Sequence, residues 1–242
     1  MERRWMLNKG TVRTNALFWN RRFLLVYSLV PSSDRMTDIH YLTHLRIPTE
    51  DEPLRILSSA CLLGQACGVD GTSNGEYPSV LKLLRYPTVR LIPFCPEDYV
   101  FGTPRETPDI ENGTGADVLE GKARVITETG KDITEPMIEA SLKMLRIAQE
   151  NEVELAVLMD VSGACGSQVI YKGSRFSDQP KYQIGMGVCA AQLHKHGFKI
   201  ISQRDFASLE ILYAKIDPAH SINEQAIDHD RHPWYLEYFG KK

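Results

Sequence analysis

Three cysteines stand where an α/β protein builds a site. Cys61 follows the apolar run LRIL (54–57) and a short SSA, Cys95 directly ends VRLIPF (89–94), and Cys165 follows ELAVLM (154–159) after DVSGA. Each run reads as a short buried strand. Each cysteine also has a backbone-permissive or cyclic residue close by: Gly64, Pro96 and Gly166. In open parallel sheets ligands bind just beyond the carboxyl ends of the strands, and thiolates suit zinc or iron. Three thiolates are one short of a closed tetrahedral zinc site. They are also one short of the four that hold an electron-transfer iron–sulfur cluster. A cluster held by three leaves one iron open, able to act as a Lewis acid. The same cysteines would also suit a core, because a buried thiol packs as a small hydrophobe. Spacing alone leaves both readings open.

The elements that must position these residues alternate. FKIISQRDF (198–206) supplies a fourth strand, and helical patterns separate the four: YPSVLKLL (77–84), DITEPMIEASLKMLRIAQENEV (132–153) and QIGMGVCAAQLHKHG (183–197). In the second pattern Asp132 and Glu135 have capping-box spacing, and Ile138, Leu142, Leu145 and Ala148 share a face. This alternation predicts an α/β fold, a Rossmann-like or flavodoxin-like parallel sheet sandwiched by helices, in a single domain spanning 54–206. An N-terminal extension (1–53) ends at the polar break TEDEP, and a C-terminal helical and aromatic tail covers 207–242. The Gly-, Pro- and Asp-rich stretch 101–131 reads as a long excursion containing a short strand, ARVIT. Loops of that length in compact domains are usually functional.

Composition narrows the class. At 242 residues, 43% hydrophobic and 24% charged, the chain is of ordinary globular type. A net charge of −3 argues against a protein that coats nucleic acid. FLLVYSLV (23–30) falls well short of the roughly 20 apolar residues a membrane helix needs, so no membrane role is expected. Five cysteines, an odd number, suit reduced thiols in the cytoplasm better than a disulfide framework. The basic start admits an organellar presequence but shows no secretory cleavage pattern.

Several further stretches share one likeness. SACLLG with a following Cys67 and DG (59–71), IPFCPE (92–97), TPRETPDI (103–110), DVLEGKARVITETGKDITEPMIEAS (117–141), S-x-x-CGS (162–167) and GMGVCAAQLHKHGFKIIS (185–202) occur in order. In these the chain resembles the thiouracil desulfidase family over residues 55–205. The resemblance implies a 4Fe–4S cluster held by Cys61, Cys95 and Cys165. It implies a hydrolytic, non-redox reaction in which a thiolated nucleobase or nucleoside, thiouracil-like, becomes uracil-like and hydrosulfide leaves. Nucleic acid enters only as a thiolated tRNA.

The resemblance also implies a serine before the third cysteine, here Ser162, whose other reading is a helix cap. It implies a glutamate near the second cysteine. Ahead of CPE that place holds Arg90, and Glu97 is the carboxylate that can substitute, with Asp98 beside it. Ser59, Asp70 and Arg105 are candidate substrate contacts. Asp70 also reads as a turn former, and Arg105 as an anchor for the long loop. Other departures are Gly68-Val69 for Arg-Tyr, Met159 for lysine, and Gly163-Ala164 before Cys165, which would widen the pocket floor. Cys67 is a candidate auxiliary ligand and Cys189 reads as core. His194 and His196 suit a helix end, while His220, His229 and His232 read as solvated polar residues. The alternatives are a non-catalytic iron–sulfur or zinc protein on the same scaffold, or a nucleobase-binding protein with structural cysteines.

Overall fold

Along the chain of the computed structural model, α1 (Ile39–His44) and β1 (Leu54–Ser59) precede α2 (Pro78–Leu81), β2 (Val89–Phe94) and α3 (Pro96–Phe101). Next come β3 (Pro108–Glu111), α4 (Gly115–Leu119), β4 (Arg124–Thr127), α5 (Thr134–Glu150) and β5 (Leu155–Leu158). The remainder is β6 (Val169–Tyr171), β7 (Tyr182–Ile184), α6 (Val188–Lys195), β8 (Ile200–Ser202), α7 (Phe206–Ile216) and α8 (Pro233–Phe239). The structure describes residues 39–73 and 77–240, within one unit covering 36–242. The basic start and the apolar run 23–30 lie outside the described residues.

The four longer-range strands form the expected parallel sheet, in the order β2-β1-β5-β8. β5 is buried at every position and β1 at all but Arg55, the mark of strands covered on both faces. Leu57, Ile92, Ala156 and Leu158 join a core with Met137 and Met144 of α5 and Val188 and Leu193 of α6. The alternating residues Leu54, Ile56, Leu155 and Val157 are fully buried on the opposite face. The chain passes from β1 to β2 on one side and then returns beyond β1 to β5. The winding therefore reverses between β1 and β5, and their carboxyl ends are tied where the backbone N–H of Met159 donates to Ser59 Oγ at 3.0 Å.

Several local expectations are corrected. VRLIPF is an edge strand rather than a buried one, with Arg90 and Pro93 exposed; a proline without an N–H is tolerated there. On α5 the buried stripe runs through Met137, Ala140, Met144 and Ala148, so Leu142 is 41% exposed. The expected capping box is absent: the N-cap position is Ile133, and Asp132, one residue earlier, accepts the N–H and hydroxyl of Thr134. YPSVLKLL forms only one α turn before tightening to a 3₁₀ turn, Lys82–Arg85. The pattern 183–197 begins as the hairpin strand β7, and its helix starts only after Gly187. A Cβ on Gly187 would sit 2.6 Å from the backbone of Ala164, so the segment is pressed too closely on the cysteine turn to coil earlier.

The excursion 101–131 is ordered, with α3 ending it on one side, a β3–β4 hairpin, and α4 capped reciprocally by Thr114 and Asp117. Flanking segments also pack. Leu42 of α1 is fully buried, Arg46 makes two hydrogen bonds to Glu154, and α7 buries Leu209 and Leu212.

Candidate active site at the carboxyl ends of the sheet

Each cysteine is placed by the end of a different strand. Beyond β1 a 3₁₀ turn, Ala60–Leu63, carries Cys61, and Gly64 closes it at φ 81 with its N–H returned to the Cys61 carbonyl. Only a residue at ease in the left-handed region ends a turn this way. Cys95 ends β2 and caps α3, its Sγ accepting the Asp98 N–H at 3.4 Å. After β5 the chain makes a turn whose two anchors are side chains. Asp160 Oδ1 accepts the N–H groups of Ser167, Gln168 and Val169, and Ser162 Oγ accepts those of Ala164 and Cys165 at 3.2 and 3.0 Å. Between them Val161 is held at φ 57. A β-branched residue rarely adopts that conformation, and it persists only where its surroundings over-determine it.

Cys61, Cys95 and Cys165 all line one cavity of about 260 Å³, together with Cys67, Glu97 and Ser162. Its position between the ends of β1 and β5 is the switch point of the sheet. Arg105 enters from the long excursion and meets Glu97, Nη2 to Oε2 at 2.8 Å. Glu97 Oε1 accepts the Ser162 hydroxyl at 3.4 Å. Burial first, then the nearby charges of Cys95 and Glu97, pushes the Cys61 thiol up to about 11. Burial pushes Cys95 up to about 12 against the opposing Asp98 hydrogen bond. Cys165 is also raised well above an ordinary thiol, burial again being the main cause.

Thiols this dehydrated ionise only when a cation compensates them, which is what metal ligation supplies. Among the described residues no three His, Cys, Asp or Glu side chains converge on a single metal ion. A multi-iron cluster spreads its ligands around a larger body, and three soft donors around a cavity fit that requirement. No disulfide ties these sulfurs; all five cysteines are free thiols.

The candidates from the sequence divide as follows. Ser59, Glu97, Arg105 and Ser162 line the cavity with the three cysteines, whereas Asp70 does not. Asp70 is exposed and accepts both the N–H and hydroxyl of Thr72, a turn-forming arrangement. The Ser59 hydroxyl is engaged with Met159. Arg105 is likewise committed, donating also to the carbonyls of Cys67 and Gly102 and to Thr103 Oγ1. Arg90 lies on the exposed side of β2 and reaches Asn151 instead. Gly163 and Ala164 do not form the pocket floor. A Cβ on Gly163 would lie 2.9 Å from the Pro108 carbonyl oxygen, and Ala164 is fully buried in the core. Cys189 packs in that core, as expected.

Three features were not legible as site residues. Arg175 lines the cavity, bonded to Asp109 through Nε and its own N–H and laid over the Tyr171 ring. Asp160 lines it too, and His229 is buried against Asp160 rather than solvated, because the tail folds back onto the β5 turn. An acidic residue directly after a buried strand was the available signal for Asp160; Arg175 and His229 carried none.

Fold and cavity define a doubly wound α/β enzyme with a thiol-lined site at the point where its winding reverses. Sequence comparison narrows this class: the chain belongs to the 2-thiouracil desulfurase family, which it matches over residues 56–205. It is accordingly an enzyme of the desulfidase kind. An uncharacterized Bacillus subtilis (strain 168) protein, YbbK, is 38% identical over 151 residues, 62% of this chain and 96% of that protein. The solved structure of a 4Fe–4S-dependent thiouracil desulfidase, TudS, is similar with a TM-score of 0.53 and 29% identity, covering 66% of this chain and 98% of its own.

Proposed function

We propose that the chain hydrolyses the C=S bond of a thiolated nucleobase or nucleoside, leaving C=O and releasing hydrosulfide. The observation that carries this reading is the meeting of Glu97 and Ser162 in the cavity lined by Cys61, Cys95 and Cys165. These three thiolates would hold a 4Fe–4S cluster which, when bound, supplies an iron without a protein ligand as a Lewis acid for the substrate sulfur.

The chain's own residues then deliver water. Arg105 occupies Oε2 of Glu97 through Nε and Nη2, which leaves Oε1 to take a proton from water. The 3.4 Å contact between Ser162 and Oε1 is long for a hydroxyl hydrogen bond. The Ser162 proton can therefore turn to a water that bridges the two oxygens from the cavity side, while its own oxygen stays fixed by two backbone N–H donors. Water oxygen bonds to the carbon, Glu97 accepts one water proton, the other passes to sulfur, and sulfur leaves with the C–S electrons as hydrosulfide, with no net oxidation. Val69, Pro108 and Met159 give the cavity apolar wall, which keeps bulk solvent from the reacting carbon. Of the two guanidinium groups there, Arg105 is 5% exposed and fully engaged, whereas Arg175, at 25%, is accessible enough to meet a substrate carbonyl.

Iron, zinc and acid-labile sulfide should be measured on protein reconstituted without oxygen, followed by sulfide release from 2-thiouracil, 4-thiouracil and their nucleosides. A four-iron cluster with sulfide release supports the reading. Zinc alone, or no metal after reconstitution, overturns it.

A further inference from the structure

We infer that His229, in the C-terminal tail beyond the family match, is a positioning residue of the site: it holds Asp160 and, through Asp160, the turn that presents Ser162 and Cys165. This rests on the assignment of those two residues to the reaction. The family match ends at residue 205, so the contact comes from a part of the chain that the shared domain does not supply.

The geometry is specific. His229 Nδ1 lies 2.8 Å from Asp160 Oδ2; the partner is a carboxylate oxygen, so the ring nitrogen donates. Both side chains are buried, at 5% and 0% exposure. The other oxygen, Oδ1, is the acceptor for three consecutive backbone N–H groups just past Cys165. One carboxylate thus joins the tail to the cysteine turn, and it also lines the cavity.

The imidazole is itself fixed. Its backbone N–H donates to Asp205, and the neighbouring Asp228 accepts the N–H and hydroxyl of Ser208. The Trp234 indole stacks on the ring at an interplanar angle of 4°. Without this donor the buried carboxylate, beside the unfavourable φ of Val161, would be anchored through Oδ1 alone. Asp160 would then hold the turn less firmly, and Val161 could relax toward ordinary φ, displacing Ser162 and Cys165. Orienting partners of this kind, one bond behind a ligand, often decide how well the ligand is presented.

The test compares His229→Gln with His229→Asn in the full chain. Asparagine can place its amide N–H near the position of Nδ1, whereas glutamine carries it a methylene further. Thiol alkylation rates at Cys165 and Cys61 are read by mass spectrometry on metal-free protein, and iron loss to a chelator on reconstituted protein. The expected result for His229→Gln is Cys165 alkylation rising about tenfold with Cys61 unchanged, and iron lost faster by a similar factor. His229→Asn should restore both toward wild type. Wild-type behaviour of His229→Gln overturns the inference. So does an equal response in both variants with Cys61 and Cys165 opening together, which would mark a general contribution to stability. If wild type takes up no iron, the desulfidase reading fails by itself, while selective exposure of Cys165 in metal-free protein would still uphold the positioning role.

Discussion

Arg105 and Glu97 form a buried fork: Nε and Nη2 reach the same carboxylate oxygen at 3.2 and 2.8 Å, with the side chains 5% and 12% exposed. Its other bonds reach the Cys67 carbonyl and, within its own excursion, Gly102 and Thr103, so one residue joins the cysteine loop to the long excursion. Removing the guanidinium leaves a carboxylate buried without its partner. Arg105→Met should therefore cost about 3–5 kcal/mol in urea unfolding of the metal-free protein. Arg105→Lys should recover only part of this, because an ammonium cannot reproduce the planar fork.

Ligand loss should be selective among the five thiols. Cys61→Ala, Cys95→Ala and Cys165→Ala should each fail to retain iron after reconstitution, whereas Cys189→Ala, altered only in the core, should retain it. Iron and sulfide content per chain reads this directly. A Cys165→Ala protein with full iron would make the ligand assignment wrong.

Glu97 and Ser162 should separate chemistry from cluster binding. Glu97→Gln keeps the shape of the side chain and removes the base, so sulfide release should fall by about 10²–10⁴-fold with iron content unchanged. Ser162→Ala should lower activity less. It should also cost about 1 kcal/mol of stability, since two backbone N–H groups of the cysteine turn lose their acceptor. Single-turnover sulfide release and urea midpoints measure the two effects.

Stability should fall with rising pH across the neutral range. Burial, reinforced by the charge of Asp228, pushes the Asp205 carboxyl up to about 8. The unfolded chain releases that proton near about pH 4. Between these values the native state binds more protons than the unfolded state, so unfolding becomes easier as pH rises through the window and the contribution is lost by about pH 8. In Asp205→Asn the decline in urea midpoint between pH 5 and 8 should flatten. An equally steep decline in the variant would assign it to another group.

The three cysteines were legible because the length and apolar character of a strand are local, and a thiol just past its end needs no tertiary knowledge to be noticed. LRIL and VRLIPF look alike in that respect, yet β1 is central and β2 an edge; only Pro93 and Arg90 hinted at the difference. The pairing of Glu97 with Ser162 spans 65 residues and that of Asp160 with His229 spans 69. Such pairs depend on how the β5 turn and the tail meet in space, and no spacing rule reports it. The helix expected over 183–197 forms only from Val188 for a related reason: Gly187 is reserved for contact with Ala164, a demand of packing that local propensity does not contain.

The sheet that carries the cysteines owns a core built from its own strands and helices, to which Cys165 alone of the three thiols contributes. A core of this size should fold without metal, unlike small metal-nucleated domains, where metal arrives and the chain then folds. Under the proposed function, whatever hands over iron and sulfide would meet a folded surface, and loading becomes a question of how a bulky inorganic body passes the mouth of a preformed chamber.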